Sequence, residues 1–242
     1  MEDLSPIRRE KKSAIWLSTA YLPCLDYFAL AAGGGELVIE IHETYPRQTW
    51  RNRCRILTAN GVFDLVVPVI RPGGGKTPTA EVRPDTEKPW QKQHWRTIHS
   101  AYSKAPYFLY YKDLVREPYF SGLPVLLTDW NMNLFRLISG ELGMNHTIRY
   151  SDSFIKPLHK GCAGCGEDDG YRWDFRYAFS PKPHRNSGLK DFAWPVYTQV
   201  FQPEAGFVPN LSILDLLFNA GPDAGDYLQA CASEIFAQFR AG

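Results

Sequence analysis

Several things that would settle the class of this chain at once are scarce or missing. Cysteine is one: there are five in 242 residues, with a single close pair, Cys162 and Cys165. An odd count with one pair is not the disulfide framework of a small secreted domain. An excess of charge of either sign is another, since 27 basic side chains stand against 26 acidic ones and the formal net charge is +1. That balance argues against a dedicated duplex-DNA binder, which draws its affinity from uncompensated Lys and Arg. No apolar run reaches the roughly 20 residues that a membrane-spanning helix requires. Arg8, Arg9, Lys11 and Lys12 before Ala14-Ile15-Trp16-Leu17 imitate the start of a signal peptide, but Ser18, Thr19, Pro23 and Asp26 break the apolar run too soon. The expected location is therefore the cytoplasm. Common catalytic signatures are missing as well: there is no serine nucleophile elbow, HExxH, GxGxxG or kinase pattern. Gly73-Gly74-Gly75-Lys76-Thr77 invites comparison with a phosphate loop, yet the Walker pattern needs a glycine where Ile70 stands. The segment reads either as a plain turn or as a loop offering backbone N–H groups and the Lys76 ammonium to an anion.

What is present is an ordinary globular composition, 44% hydrophobic and 22% charged, with an aromatic share of 14% that suits ring-lined pockets. The length allows one large core, and without repeats or a clear linker the reading is a single elaborated domain over 13–242 behind a polar leader, 1–12. A strand is expected over Ala14–Ser18, a helix over Leu25–Ala32 stopped by three glycines, and a second strand over Leu37–Ile41. Strand, turn, helix, strand is the βαβ signature of a parallel sheet, hence an α/β fold. Asn60-Gly61 between β-rich runs predicts a hairpin, followed by a Gly/Pro/Thr loop with a short strand at Ala80–Val82. Helices are expected over Trp90–Lys104 and Phe108–Arg116. Leu123–Leu127 reads as a strand or buried connection, and Thr128 or Asp129 as the cap of a helix reaching Leu142. Thr147–Tyr150 resembles a strand, 151–190 an irregular insertion of the lid type. A helix over Leu211–Phe218, capped by Asn210 or Ser212, and another over Asp226–Phe239 end the chain.

The chemistry concentrates between His42 and Arg53, just after the second strand. Twelve positions hold an imidazole, a carboxylate, three guanidiniums, two aromatic rings and two amides. A loop selected for solubility would use Lys, Glu, Ser and Gly, whereas Arg, Trp and Tyr present shape and directed hydrogen bonds. Polar residues at strand ends of an α/β sheet face the ligand crevice. His42 and Glu43, adjacent in an extended segment, should point to opposite faces, so that one can enter the crevice. His42 and His94 are the preferred acid–base pair, with Glu43 beside them. Arg47, Arg51, Arg53 and Arg96 can clamp a phosphate or carboxylate, which fits the use of Arg over Lys. His159, Cys162 and Cys165 offer three soft ligands, but a structural zinc needs a fourth, from His184, Cys54 or an acid; a lone CxxC reads as two free thiols.

These residues resemble the WbqC-like family over nearly the whole chain. The likeness is carried by Ser18-Thr19-Ala20-Tyr21-Leu22-Pro23 with Tyr27-Phe28, by His42-Glu43-x-Tyr45 with Gln48-Thr49-x-Arg51-Asn52-Arg53, and by Gly74-Gly75-Lys76-Thr77. It continues through His94-Trp95-Arg96-Thr97-Ile98, Asp174-x-Arg176 with Pro181-Lys182, and Pro209-Asn210-Leu211-Ser212 onward to Gly221-Pro222. The CxxC segment departs from the family pattern, which weakens the zinc reading further. The resemblance implies a role among bacterial O-antigen and surface-polysaccharide genes, and a glycine or other acyl transfer to a sugar. The early strand–turn–helix looks like the nucleotide-binding half of Rossmann-like, HUP-type folds, a mixed sheet flanked by helices. The leading expectation is thus an acyl or aminoacyl transferase acting on an amino sugar, nucleotide-linked, with an activated acyl donor. Its site would draw on Thr19, Tyr21, Tyr45, Arg47, Gln48, Trp50, Arg51, Asn52, Arg53, Lys76, Thr77, Trp95, Arg96 and Lys182, with His42, Glu43 and His94 catalytic. Competing expectations are a HUP-like nucleotidyltransferase using Mg²⁺ and a nucleotide, and a non-catalytic module for a glycan precursor or RNA, tRNA included.

Overall fold

The structure, a computed structural model, describes residues 14–157, 165–167, 170–178, 181, 189 and 192–241. Its strands are β1 (Ala14–Ser18), β2 (Glu36–Glu40), β3 (Arg53–Thr58), β4 (Gly61–Val66), β5 (Val69–Ile70), β6 (Arg83–Pro84), β7 (Thr147–Tyr150), β8 (Cys165–Glu167) and β9 (Gly170–Asp174). Its helices are α1 (Leu25–Ala32), α2 (Trp90–Tyr102), α3 (Phe108–Phe120), α4 (Leu127–Glu141), α5 (Gln202–Ala205), α6 (Ile213–Ala220) and α7 (Ala224–Ala241).

The main sheet runs β7-β2-β1-β9-β8. The first four strands are parallel and β8 is antiparallel to β9. Continuous apolar runs such as Ile15-Trp16-Leu17 and Leu37-Val38-Ile39 are what a parallel sheet covered on both faces demands. Residues in register share a face. Ile15, Leu37 and Trp173 stand side by side, with Leu17 beside Ile39, and this face meets helices: the Trp173 ring lies edge-on to Phe236 of α7, 5.4 Å between centroids. The opposite face carries Trp16, Val38 and Asp174 in one row and Ser18 with Glu40 in the next.

Helix α1 is buried at every position except Asp26, as its sequence LDYFALAA, apolar all round, requires. Phe28 stacks obliquely on Phe135 of α4 at 5.0 Å. The expected glycine stop is there, with φ of 84° at Gly34 and 93° at Gly35. Gly33 has a packing reason instead: a Cβ there would come within 2.0 Å of the Phe236 ring.

The elements differ from expectation where tertiary contacts outweigh local pattern. Ala80–Val82 is not a strand; a 3-10 turn over Thr79–Glu81 precedes β6. Neither Thr128 nor Asp129 caps α4, which begins at Leu127, where the backbone N–H donates to Val82 O at 2.9 Å. Of the two readings of Leu123–Leu127, the connection holds up to Leu126, and Leu127 opens α4. Helix α3 runs past Arg116 and takes Pro118 into its last turn. Ser212, not Asn210, caps α6. The stretch expected to be irregular, 151–190, contributes β8 and β9, and β9 lies beside β1 in the sheet.

Candidate functional site

The carboxyl ends of β1, β2 and β9 meet at one place, where an open parallel sheet receives its ligand. There the apolar face of the strands gives way to charge. Ser18 Oγ donates to Glu43 Oε1 at 2.8 Å and accepts from Arg51 Nη2 at 2.6 Å. Arg51 also reaches Glu43 through Nε at 3.1 Å and through Nη2, and Thr49 through Nη1 at 2.6 Å. The backbone behind it is fixed by Asn131 Nδ2, which donates to Arg51 O at 2.7 Å. A second cluster stands beside the first. Arg176 is held by Asp174 through Nε at 2.8 Å and through Nη2, and its Nη1 donates to Glu40 Oε2 at 3.0 Å and Ile155 O at 2.7 Å. Both the Arg176 and Glu40 side chains are fully buried, and the guanidinium lies 5.2 Å from the centre of the Trp16 ring. Glu40 Oε1 further accepts from Ser151 Oγ and the His42 backbone N–H.

Between these clusters and the start of α1 lies a cavity of about 20 Å³, bordered by Ser18, Thr19, Asp26, Trp50, Arg51 and Arg176 among others. Asp26 is the one polar break in α1. Its Oδ1 accepts from the Tyr27 N–H at 2.8 Å and its Oδ2 from Asn210 Nδ2 at 2.9 Å. Burial outweighs both bonds and pushes its carboxyl up to about 6. Thr19, 1% exposed, has no hydrogen-bond partner for its Oγ1. Cys24 borders the cavity too, but burial raises its thiol well above the ordinary value, so it is no ready thiolate.

The start of α1, where a Rossmann-like fold would seat a phosphate, already has its donors engaged. Leu25 N bonds Leu211 O at 3.1 Å and Asp26 N bonds Asn210 Oδ1 at 3.0 Å. The segment Asn210–Ile213 is docked on this turn by Ser212 Oγ to Leu22 O at 2.8 Å and Ile213 N to Pro23 O at 2.9 Å.

The expected site residues divide into groups. Glu43 points inward and is buried while His42 is exposed, the alternation expected of an extended segment; His42 Nε2 lies 2.9 Å from Ser151 O. Thr19, Trp50 and Arg51 border the cavity. His94 does not come to it. It is packed in the core against Trp90, and its Nδ1 meets Tyr21 Oη at 2.9 Å. Burial lowers this imidazole to about 4. Tyr21 and Tyr119 share a short hydroxyl contact there, and Tyr21 N donates to Trp50 O at 3.0 Å, so this aromatic cluster props the turn after β1 from below. The guanidiniums do not converge. Arg53 and Arg55 pair with Asp64 across the hairpin; Arg47, Lys76 and Arg96 are exposed. Gln48 is exposed in a turn with φ of 51°. Asn52 Nδ2 donates to Val67 O at 2.8 Å, and Thr77 Oγ1 to Gly74 O at 3.0 Å. Tyr45 is buried, and Trp95 stacks on Phe108. Lys182, His159 and Cys162 lie outside the described residues, and of Cys165 only the strand placement is described. Among the described residues no three His, Cys, Asp or Glu side chains are grouped to share a metal ion, Mg²⁺ included. A wider hollow of about 360 Å³ lies at the far end of β3, beside Asn60, Phe63, Arg96 and Phe201; among the described residues lining it, Arg96 alone is charged, and it is exposed.

Residues 19–161 and 186–227 match the WbqC-like protein family. The chain belongs to the WbqC-like protein family. It is also 30% identical over 237 residues to "Uncharacterized protein Rv1507c" of Mycobacterium tuberculosis (strain ATCC 25618 / H37Rv), covering 91% of this chain and 99% of the relative. No solved structure matches it. The matched segments take in most of the cavity's border, from Thr19 through Arg51, together with the Asn210–Ile213 clamp on α1. Ser18 falls just before the first segment, and Arg176 lies in the stretch between the two. Asp26, Glu40, Asp174 and Arg176 carry much of the site's charge, and sequence reasoning did not place them there. The signals were present: a carboxylate inside an otherwise apolar helix, and another closing an apolar strand.

Proposed function

We propose that the protein transfers an acyl or aminoacyl group to the amine of a sugar, as a step in surface-polysaccharide assembly. The observation that carries the reading is the cavity at the carboxyl ends of β1 and β9, where Ser18, Thr19, Asp26 and two immobilised arginines stand among apolar walls. Such acyl transfer needs a fixed polar frame and an activated donor more than it needs a metal. Support also comes from the family, whose resemblance implies this chemistry. Against nucleotidyl transfer on a HUP-like fold stands the occupied start of α1, where the triphosphate of such enzymes would need free N–H groups. The test is direct. Purified protein is incubated with amino sugars, free and nucleotide-linked, and with acyl thioesters and aminoacyl-tRNA as donors. Mass spectrometry should show an acceptor heavier by the acyl group, made only in the protein's presence. Release of pyrophosphate from a nucleoside triphosphate, without acyl transfer, would establish the nucleotidyl reading instead.

A further inference from the structure

The cavity beside Arg51 and Arg176 does not carry the charge its arginines suggest. Hydrogen bonds already use four of the five N–H groups of each guanidinium. Glu43 neutralises Arg51, while Asp174 and Glu40 together outnumber Arg176. Asp26 adds a fourth carboxyl at the cavity's border, and the described donors to it, Tyr27 N–H and Asn210 Nδ2, are both neutral. With Asp26 ionised the surroundings are negative and rich in acceptors. A second observation points the same way: Thr19 Oγ1, on a residue 1% exposed, borders the cavity with no partner of its own. An unpaired buried hydroxyl is costly, and a ligand's N–H would satisfy it.

Size restricts the guest. About 20 Å³ admits a group near the size of one water molecule. That space takes an ammonium more readily than a phosphate with its oxygens. We propose that this cavity seats a primary ammonium group, held by Asp26 and Thr19, with Arg51 and Arg176 serving as rigid walls and not as an anion clamp. The binding claim stands by itself; its use in turnover rests on the transferase reading. In that use Asp26 takes one proton from the ammonium, and the freed nitrogen attacks the acyl carbon of an ester or thioester donor. The N–C bond forms as the C–O or C–S bond breaks, the electron pair leaves on oxygen or sulfur, and the second amine proton goes to that leaving group. A carboxyl sitting at about 6 is suited to accept a proton at neutral pH and return it to solvent.

The experiment is a calorimetric and thermal-shift titration of the full chain at pH 7.5 and matched ionic strength. The probes are methylammonium, D-glucosamine, D-glucose and inorganic pyrophosphate. The two amines should raise Tm and bind, and glucose should not. Asp26→Asn should weaken amine binding at least tenfold, and Thr19→Val severalfold, with far-UV circular dichroism confirming that both fold. Amine binding unchanged in Asp26→Asn, or pyrophosphate binding that strengthens when Asp26 is neutralised, would overturn the proposal. Loss of all transferase activity with Asp26-dependent amine binding intact would remove the enzymatic reading and leave the seat. Transfer that proceeds at full rate in Asp26→Asn would overturn the use of the seat in turnover and leave the enzyme.

Discussion

Neutralising Asp26 should make the fold more stable at neutral pH while weakening the cavity's proposed hold on an amine. The carboxyl is moved from 3.8 to about 6, chiefly by burial, a change of roughly two pKa units. At about 1.4 kcal/mol per unit this sets a ceiling of about 3 kcal/mol. Asp26 keeps partial contact with solvent, and screening brings the expected gain down to about 1–2 kcal/mol. The sign follows from the direction of the shift. A group raised on folding contributes stability that is complete below the unfolded value of 3.8 and is lost as pH rises through about 6. Asp26→Asn removes that loss and keeps a carbonyl for the Tyr27 N–H; it forgoes the bond from Asn210 Nδ2, since Asn210 Oδ1 stays with the residue-26 backbone N–H, and this takes up to about 1 kcal/mol from the gain. Urea unfolding of both proteins at pH 4, 5, 6, 7 and 8 gives the difference directly. The variant should be more stable at pH 8, with the difference vanishing near pH 4. A pH-independent difference, or a variant clearly weaker at pH 8, refutes the assignment of a strained carboxylate. Stability gained together with function lost is the pattern of a residue retained for its chemistry.

Other outcomes follow from the same structure. His94 is lowered from 6.5 to about 4 by burial, so its contribution is present above 6.5 and lost as pH falls through 4. In His94→Gln the acid limb of a stability profile should therefore flatten by up to about 3 kcal/mol between those values. Arg176→Met strands the buried Glu40 and Asp174 carboxylates and should cost about 3–5 kcal/mol by urea midpoint. Adding Glu40→Gln and Asp174→Asn should recover most of it. Gly33→Ala drives a Cβ to within 2.0 Å of the Phe236 ring and should lower stability by about 1–3 kcal/mol. The loss should shrink when Phe236 is also changed to Leu.

The βαβ start was legible because period and punctuation agreed: Ile15 and Leu17, then an apolar helix, then three glycines, then Leu37 and Ile39. The hairpin and the aromatic helices were legible for the same reason. Strand β9 was not, since Gly170–Asp174 sits among glycines and charges and pairs with β1 across a separation of 158 residues, as in Ala14 with Arg172. For the site, the alternation that buries Glu43 and exposes His42 could be read from an extended segment. The convergence of guanidiniums could not. Arg51, Arg53 and Arg96 look alike in a sequence, but each is assigned by a carboxylate or its absence: Glu43 for Arg51, Asp64 for Arg53, and open solvent for Arg96. His94 stands among Trp95 and Arg96 in sequence, yet its position on the buried stripe of α2 with Trp90, Ile98 and Tyr102 places it in the core.

The start of α1 decides between two kinds of ligand. In a dinucleotide or mononucleotide fold this turn presents free N–H groups to a phosphate, aided by the helix dipole. Here Leu211 O and Asn210 Oδ1 take those donors, and the positive end of the helix faces the Asp26 carboxylate in its own first turn. A phosphate would have to displace a docked backbone segment and approach a negative charge. Mg²⁺–ATP and Mg²⁺–CTP are therefore expected to leave Tm unchanged at millimolar concentration. A ligand at 100 times its Kd stabilises by about 2.7 kcal/mol, a shift that a thermal scan resolves easily. Stabilisation of that size by either nucleotide, persisting in Asp26→Asn, would mean that the clamp of Asn210–Ile213 yields to phosphate and that the first turn of α1 is a nucleotide seat after all.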